Sequence, residues 1–181
     1  MTLQPDKARD SAFLAELELL KPDIVVTAAY GQILSQEFLN IPTRATINVH
    51  PSLLPKYRGA TPIPSALLHG DGQTGVTILF TVKALDAGNV ILQTNHAIKP
   101  HETAAELTQD LFQLGAKLLP DTLKLLQSPT FDGIAQEESK ISHCTKILKT
   151  DGLVNWSDEA QLIHNKFRAF QPWPGIYTYL G

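Results

Sequence analysis

The sequence has a single cysteine, little net charge and no long apolar run. One cysteine, Cys144, excludes an intramolecular disulfide and is typical of proteins from a reducing compartment. No segment approaches the ~20 apolar residues that a membrane-spanning helix needs. The opening residues, MTLQPDKARDS, lack the apolar centre of a signal peptide. We therefore expect a soluble, cytoplasmic protein.

Motifs for several common ligands are also missing. The formal charge is −3, so binding of nucleic acid would need a local basic patch. The six histidines are scattered, and His96 and His101 have no carboxylate or cysteine at ligand spacing. No P-loop occurs. We expect no metal site.

Helical and strand patterns alternate along the 181 residues, which suffice for one core or for one domain plus part of another. Apolar periodicity predicts helices over 6–21, 63–69, 103–127 and 157–170, and strands over 23–29, 44–50, 76–82, 89–98 and 176–180. The continuous apolar run in 24–29 is typical of a strand buried on both faces of a parallel sheet. Pro120 predicts a kink or two abutting helices. This order indicates a three-layer α/β domain.

One stretch organises the rest: residues 47–62, INVHPSLLPKYRGATP. Asn48 and His50 are two residues apart, so on a strand their side chains share a face. Pro51 and Pro55 end the strand and fix the path of the following loop. An amide and an imidazole are thus delivered together at the carboxyl end of a strand, where open α/β sheets bind ligands. Either residue alone is better explained as a strand cap, whereas the pair followed by this loop indicates a site.

The motif NVH followed by SLLPKYRG (residues 48–50 and 52–59) resembles the signature of the folate-dependent formyltransferases. Within that family, GATPI (59–63) is more similar to the methionyl-tRNA formyltransferases than to the glycinamide ribonucleotide enzymes. The resemblance implies a three-layer Rossmann-like domain with a mainly parallel sheet. It also implies 10-formyltetrahydrofolate as the formyl donor, initiator methionyl-tRNA as the acceptor, and no metal.

Asp86 lies in the turn LDAG (85–88) after the third predicted strand. An aspartate before such a turn usually serves the turn alone. The resemblance implies instead a catalytic trio of Asn48, His50 and Asp86. In formyl transfer an oxyanion develops, which the Asn48 amide and the His50 ring can stabilise as donors. Asp86 can fix the His50 tautomer, favour its charged form and position a relaying water. No covalent nucleophile is required, and Cys144, which falls in the connecting segment away from the trio, is assigned a structural role.

The resemblance further implies an apolar wall around the pterin ring after the first strand, with residues 79–86 supplying backbone groups from the other side. A loop after the second strand lines the entrance. The predicted cofactor-binding residues are Tyr30, Gly31, Ile33, Leu34, Ser52, Leu53, Leu54 and Pro55. Core packing is the alternative for Ile33 and Leu34. Lys56 and Arg58 either meet phosphates or are solvated loop charges.

The segment RAFQPWPG (168–175) is similar to the element that joins the catalytic domain to a C-terminal β-barrel in methionyl-tRNA formyltransferases. We assign Trp173 to interdomain packing. The predicted domains are a partial catalytic domain over 1–128, a connecting segment and helix over 129–170, and the start of a truncated barrel over 171–181. Family members usually begin with two further β-α units, so we expect truncation at both ends.

Three functions remain open at this point. The first is formyl transfer to methionyl-tRNA, and the second is a non-catalytic remnant that binds folate or a partner. The third is a 10-formyltetrahydrofolate hydrolase-type domain, against which RAFQPWPG argues. For this chain we expect weak tRNA binding and self-association through an exposed sheet edge at 24–29.

Overall fold

Helices and strands alternate along the chain in the computed structural model, which describes residues 2–180. The helices are α1 (Ser11–Leu19), α2 (Gln36–Leu39), α3 (Pro62–Leu68), α4 (Ala104–Leu125) and α5 (Ala160–Ala169). The strands are β1 (Ile24–Ala28), β2 (Ala45–His50), β3 (Arg58–Gly59), β4 (Gln73–Phe80), β5 (Val90–Ala97) and β6 (His143–Cys144). The predicted domain ranges also include residues 1 and 181, which lie outside the described residues. No helix within residues 2–180 is both long and apolar enough to cross a membrane.

The main sheet has the strand order β1-β2-β4-β5. β1 and β2 are parallel, whereas β2 with β4 and β4 with β5 are antiparallel. The α/β fold class is therefore confirmed, but the described sheet is mixed rather than mainly parallel. For β4 and β5 the reason is the short connection between them, since adjacent parallel strands require a crossover of a dozen or more residues. β3 and β6 form a separate small parallel sheet.

The hydrophobic core lies between β2 and β4 on one side and helices on the other. Its members include Ile47, Val49, Ile63, Leu67, Val76, Ile78, Leu107, Leu111 and Phe170. Burial of each such side chain contributes about 1.5–3 kcal/mol. This packing fixes β2 and β4, and with them the sheet end at which β2 delivers His50.

Helix α4 is the longest element and packs closely on the sheet. It begins with a capping box, in which the Thr103 hydroxyl accepts the Glu106 N–H and the Glu106 carboxylate accepts the Thr103 N–H. A Cβ on Gly115 would lie 2.5 Å from Val49 Cγ1, so only glycine permits this approach. The helix continues through Pro120, and the alternative of two abutting helices is wrong.

The predicted elements near the two ends differ from the observed ones. α1 is shorter than predicted and buries none of its side chains. β1 is an edge strand whose Val26 is 42% exposed, so burial on both faces is wrong for the described chain. In place of a strand over 176–180, Tyr177 forms a single bridge with Leu153. Trp173 is 59% exposed, and its interdomain role stays a prediction.

We expect the 181-residue chain to self-associate through β1. Within the described residues β1 pairs with β2 only, so its outer edge presents unpaired backbone groups beside the exposed Val26. Val26→Lys should shift elution in size-exclusion chromatography towards the monomer mass of 19.9 kDa. Leu162→Lys, which alters an exposed leucine on α5, should leave elution unchanged. Monomeric elution of the parental chain, with cooperative urea unfolding, would contradict the prediction.

Candidate active site

His50, the last residue of β2, is held from both sides of its ring. Its side chain is only 4% exposed. Nε2 lies 3.0 Å from the Tyr57 carbonyl oxygen, and Nδ1 lies 3.7 Å from Asp86 Oδ2. Because a carbonyl can only accept, the Nε2 atom carries the proton. Nδ1 is therefore the ring nitrogen left for proton transfer.

Asp86 follows β4 in a strained backbone conformation. Its φ of +50° is left-handed, which costs a non-glycine residue about 1–3 kcal/mol. Its Oδ2 atom accepts the backbone N–H of Gly59 at 2.9 Å. A Cβ on Gly88 would lie 1.8 Å from the Phe80 carbonyl oxygen, so the turn requires glycine there. One loop thus forms the tight turn and also places Asp86 within ion-pair distance of His50. The interpretation of Asp86 as a turn residue is therefore compatible with its interpretation as a member of the trio.

Asn48 lies on the same face of β2 as His50, because strand side chains alternate. Its Oδ1 atom lies 3.0 Å from the Thr27 hydroxyl oxygen, which is also 3.1 Å from the Ile47 carbonyl oxygen. Thr27 pairs with Asn48 in the β1–β2 register. The amide oxygen is thereby occupied, which leaves the amide N–H groups as donors to a ligand. Sequence reasoning missed Thr27, although it is the polar residue in the otherwise apolar run IVVTA.

Burial is the dominant influence on the His50 imidazole and lowers its pKa. The charge of Asp86 and the bond to the Tyr57 carbonyl act in the opposite direction. The ring is consequently neutral near pH 7, and the Nδ1 lone pair can accept a proton beside a carboxylate. This combination suits a group that takes a proton from an attacking amine.

The residues predicted to form the pterin wall lie on an open surface after β1. Tyr30 is 41% exposed and Ile33 is 92% exposed, while Leu34 is half-buried. Core packing, the alternative for Ile33, is therefore wrong. Gly31 is also exposed and has a φ of +75°, which turns the chain at this point. Their contact with a cofactor stays a prediction.

The loop after β2 is held by hydrogen bonds that its polar groups make within the protein. The Ser52 hydroxyl donates to the Lys56 carbonyl at 2.6 Å. The Leu54 N–H donates to the Thr77 hydroxyl, and the Leu54 carbonyl accepts the Gln93 amide at 3.0 Å. Ser52 and Leu54 are buried, so their side chains shape the loop from inside.

Two clefts flank this loop. One has a volume of about 360 Å³ and is lined by Leu53, Lys56, Tyr57, Asp71, Gly72, Gln73 and Thr74. The other has a volume of about 340 Å³ and is lined by Leu54, Pro55, Val90, Ile91, Leu92, Gln93, Ile134, Ala135, Gln136 and Glu137. The four loop residues predicted to bind the cofactor, 52–55, therefore do not line a single cleft. Neither of these two clefts is lined by the predicted trio.

The two basic residues of the loop have partners inside the chain. Lys56 Nζ lies 3.4 Å from Asp71 Oδ2. Arg58 donates from Nε and from a terminal nitrogen to Gln136 Oε1, at 3.0 and 2.7 Å. The interpretation of Arg58 as a solvated loop charge is therefore wrong. Both basic side chains already have partners within the chain.

Cys144 also lies closer to the site than predicted. Its Sγ atom is 3.5 Å from the Tyr57 carbonyl oxygen, the same atom that binds His50. The Thr61 N–H donates to this sulfur at 3.3 Å. The expectation that Cys144 is distant from the trio is wrong, because the pairing of β3 with β6 brings it there.

His96 has acidic neighbours that its sequence context does not reveal. Its Nε2 atom lies 3.7 Å from Glu102 Oε1 and 4.0 Å from Asp110 Oδ2. Lys99 Nζ lies 3.5 and 3.2 Å from the same two oxygens and supplies positive charge to both carboxylates. The statement that no carboxylate lies near His96 at ligand spacing is wrong in three dimensions. The Lys99 ammonium group thus lies where a metal ion bound by these two carboxylates would lie.

The stability of the chain should fall as the pH is lowered below about 6.5, the pKa of an unfolded histidine. Because burial lowers the folded-state pKa of His50, the unfolded state binds more protons in this window, and the free energy of unfolding decreases. His50→Gln should flatten this dependence in urea unfolding between about pH 7 and about pH 5.5. The exposed His101, changed to Gln, is the control that should retain it. An equally steep dependence in His50→Gln would contradict the prediction.

Comparison with known proteins identifies the family. A family model described as formyl transferase matches residues 1–123, and one described as formyl transferase, C-terminal domain, matches residues 146–181. The chain is 45% identical over 178 residues to a methionyl-tRNA formyltransferase of Syntrophus aciditrophicus (strain SB), covering 98% of this chain and 57% of that protein. A methionyl-tRNA formyltransferase of Staphylococcus epidermidis (strain ATCC 12228 / FDA PCI 1200) is 43% identical, with 97% and 56% covered. The chain thus spans little more than half the length of these curated relatives. The predicted domain boundaries stay predictions.

Solved structures agree on the fold. HypX from Aquifex aeolicus, crystallised in complex with tetrahydrofolic acid, matches with a TM-score of 0.82 at 20% identity, over 98% of this chain and 30% of that one. A sugar N-formyltransferase from Shewanella sp FDAARGOS_354 matches with a TM-score of 0.76 at 21% identity, over 96% and 70% of the two chains. At such identities the likeness concerns the fold alone. Because the first family model covers more than half of the sequence and the solved structures share its fold, the chain belongs to the formyl transferase family.

Proposed function

We propose that the chain forms the catalytic core that transfers a formyl group from 10-formyltetrahydrofolate to the amino group of methionyl-tRNA. The observation that carries this proposal is the placement of His50. This buried imidazole is held between the Tyr57 carbonyl and Asp86, and Asn48 lies on the same strand face. Relatives that are 43–45% identical bear the corresponding name. A cytoplasmic location is part of the same proposal.

The three side chains have distinct tasks in an acyl transfer. The amino nitrogen of the acceptor forms a bond to the formyl carbon, and an oxyanion develops on the formyl oxygen. The Asn48 amide donates to that oxygen, and losing one such donor typically costs on the order of 10²–10³ in rate. His50 accepts the amine proton at Nδ1, where Asp86 stabilises the resulting imidazolium.

Collapse of the tetrahedral intermediate completes the reaction. The bond between the formyl carbon and the folate nitrogen breaks, and that nitrogen receives the proton held at His50 Nδ1. The proton balance closes without a covalent enzyme intermediate. The fixed tautomer matters here, because Nε2 is committed to the Tyr57 carbonyl and only Nδ1 can exchange the proton.

Folate binding is supported by the open apolar surface of Tyr30, Ile33 and Leu34 after β1. Residues 79–86 are proposed to meet the pterin ring with backbone groups from the β4 side. The related fold of HypX binds tetrahydrofolic acid in its crystal structure. The loop residues predicted to bind the cofactor are proposed to line the entrance, with Ser52 and Leu54 acting from inside the loop.

His50→Ala and Asp86→Asn should abolish formyl transfer while leaving folate affinity within a few-fold. Both groups act on the transition state rather than on the bound donor, so the loss should appear in kcat. The assay uses a polypeptide extended to full length with the matching segments of the Syntrophus aciditrophicus relative.

The exposed residues His101 and Asp121, changed to Ala and Asn, are the controls and should retain kcat. Near-parental kcat in either trio variant would disprove the assignment. Release of free formate in place of formyl-methionyl-tRNA would indicate the hydrolase alternative. Folate binding with no turnover would indicate the non-catalytic remnant.

The 181-residue chain should bind initiator methionyl-tRNA weakly and with a shallow salt dependence. Its formal charge is −3, and Lys56 and Arg58 are engaged with Asp71 and Gln136. Titration at two salt concentrations measures the slope, with Lys56→Gln as the variant and the exposed Lys117→Gln as its control. Tight binding with a steep slope that Lys56→Gln reduces would show that this loop suffices for tRNA binding.

A further inference from the structure

Residues 132–145, here called the strap, contact both the loop that carries Asp86 and the loop that follows His50. On the Asp86 side, the Asn89 amide donates to the Asp132 carbonyl at 2.9 Å. Val90 and Ile134 exchange two backbone hydrogen bonds of 2.8 Å. The strap therefore runs antiparallel to the start of β5 and holds the end of the Asp86 loop.

The strap also holds the loop that follows His50. The Ser142 hydroxyl accepts the Tyr57 N–H at 2.9 Å, and the Ser142 carbonyl accepts the Arg58 N–H at 2.9 Å. The Ser142 N–H donates to the Pro55 carbonyl at 3.2 Å. The carbonyl that binds His50 thus belongs to a residue whose own N–H is fixed by the strap.

Gln136 joins these two halves through one side chain. Its Nε2 atom donates to the carbonyls of Asp86 and Gly88, both at 2.8 Å. Its Oε1 atom accepts both Arg58 donors. Two donors and two acceptor positions are all that an amide offers, so every one of them is used.

We propose that Gln136 is a positioning residue, which holds Asp86 at the distance from His50 that proton transfer requires. The proposal rests on the proposed function for its catalytic consequence, although the positioning itself is a property of this chain. Gln136 acts through Asp86 and does not touch the reacting atoms.

Asp86 needs such support because of its backbone. A non-glycine residue at φ +50° relaxes towards ordinary conformations unless its surroundings hold it. The Gln136 amide donates hydrogen bonds to the peptide carbonyls of Asp86 and Gly88 and so holds this backbone conformation. The Asp86 carboxylate in turn bonds the N–H of Gly59, which lies in β3 and pairs with the strap.

A merely stabilising role for Gln136 makes a different prediction from a positioning role. If Gln136 positions Asp86, its loss lets the carboxylate move away from His50. The negative charge of Asp86, which raises the His50 pKa against the effect of burial, then acts more weakly. The His50 pKa therefore falls further. Among the described residues, Asp86 is the carboxylate within ion-pair distance of His50, and Cys144 is the other titratable group in contact with the Tyr57 carbonyl. A loss of global stability alone leaves the His50 pKa of the folded chain unchanged.

The experiment follows the histidine ring signals of the 181-residue chain by NMR as a function of pH. The His50 signal is assigned by its loss in His50→Asn. Gln136→Met removes all four hydrogen bonds without adding charge, and it should lower the His50 titration midpoint. Gln136→Asn, whose side chain is one carbon shorter, should also lower the His50 titration midpoint. This variant replaces Gln136→Met in the experiment if Gln136→Met does not fold.

Two variants provide matched controls. Gln127→Met makes the same chemical change at an exposed position and should leave the midpoint unchanged. Arg58→Met keeps the two bonds from Gln136 to the Asp86 loop and removes a cation, so the midpoint should not fall. An unchanged midpoint in folded Gln136→Met, or an equal fall in Arg58→Met, would overturn the proposal.

The catalytic consequence is measured separately in the extended polypeptide. Gln136→Met should lower kcat by up to about 10²-fold, the scale expected for a displaced catalytic group, with little change in KM for the formyl donor. If the parental polypeptide transfers no formyl group, the proposed function fails while the His50 titration still decides the role of Gln136. A parental kcat combined with a lowered midpoint would overturn the positioning role.

Discussion

The site depends on one hydrogen bond, from His50 Nε2 to the Tyr57 carbonyl oxygen. It places the imidazole proton on one nitrogen, turns the other nitrogen towards Asp86, and anchors a loop to the end of β2. Burial strengthens this bond, because no water competes for either partner in the interior. Burial also lowers the His50 pKa and so keeps the ring neutral. The core between β2, β4 and α4 keeps His50 in place, and the strap keeps Tyr57 in place.

Local patterns in the sequence predict the strand-borne part of this arrangement well. Alternation along 47–50 is sufficient to place Asn48 and His50 on one face, and the glycine after Asp86 is sufficient to predict a tight turn. The contacts that position these groups are not local. Gln136 is 50 residues from Asp86 and 78 from Arg58, so no periodicity or spacing reveals their contact.

The same limit explains the errors in strand direction and burial. The apolar run at 24–29 predicts a strand correctly, but it does not specify how many neighbours the strand has. In the described sheet β1 has one neighbour, and its outer face is open. Likewise, the residues of β4 are compatible with either direction of pairing, and the short connection to β5 decides for antiparallel pairing. Family resemblance places residues in roles, whereas the pairing partners follow from the three-dimensional structure.

The shared hydroxyl proton of Thr27 links an edge strand to the site. Thr27 lies on the edge strand β1, and it divides its single proton between the Ile47 carbonyl and the Asn48 amide oxygen. Edge strands open locally at a smaller free-energy cost than central ones, so β1 belongs to the low-stability end of the fold. Each opening of β1 frees the Asn48 amide to rotate and removes the preference for one orientation of its donors. Cover over the β1 edge, from any source, therefore sets the fraction of time for which the Asn48 amide N–H groups keep the orientation that Thr27 gives them.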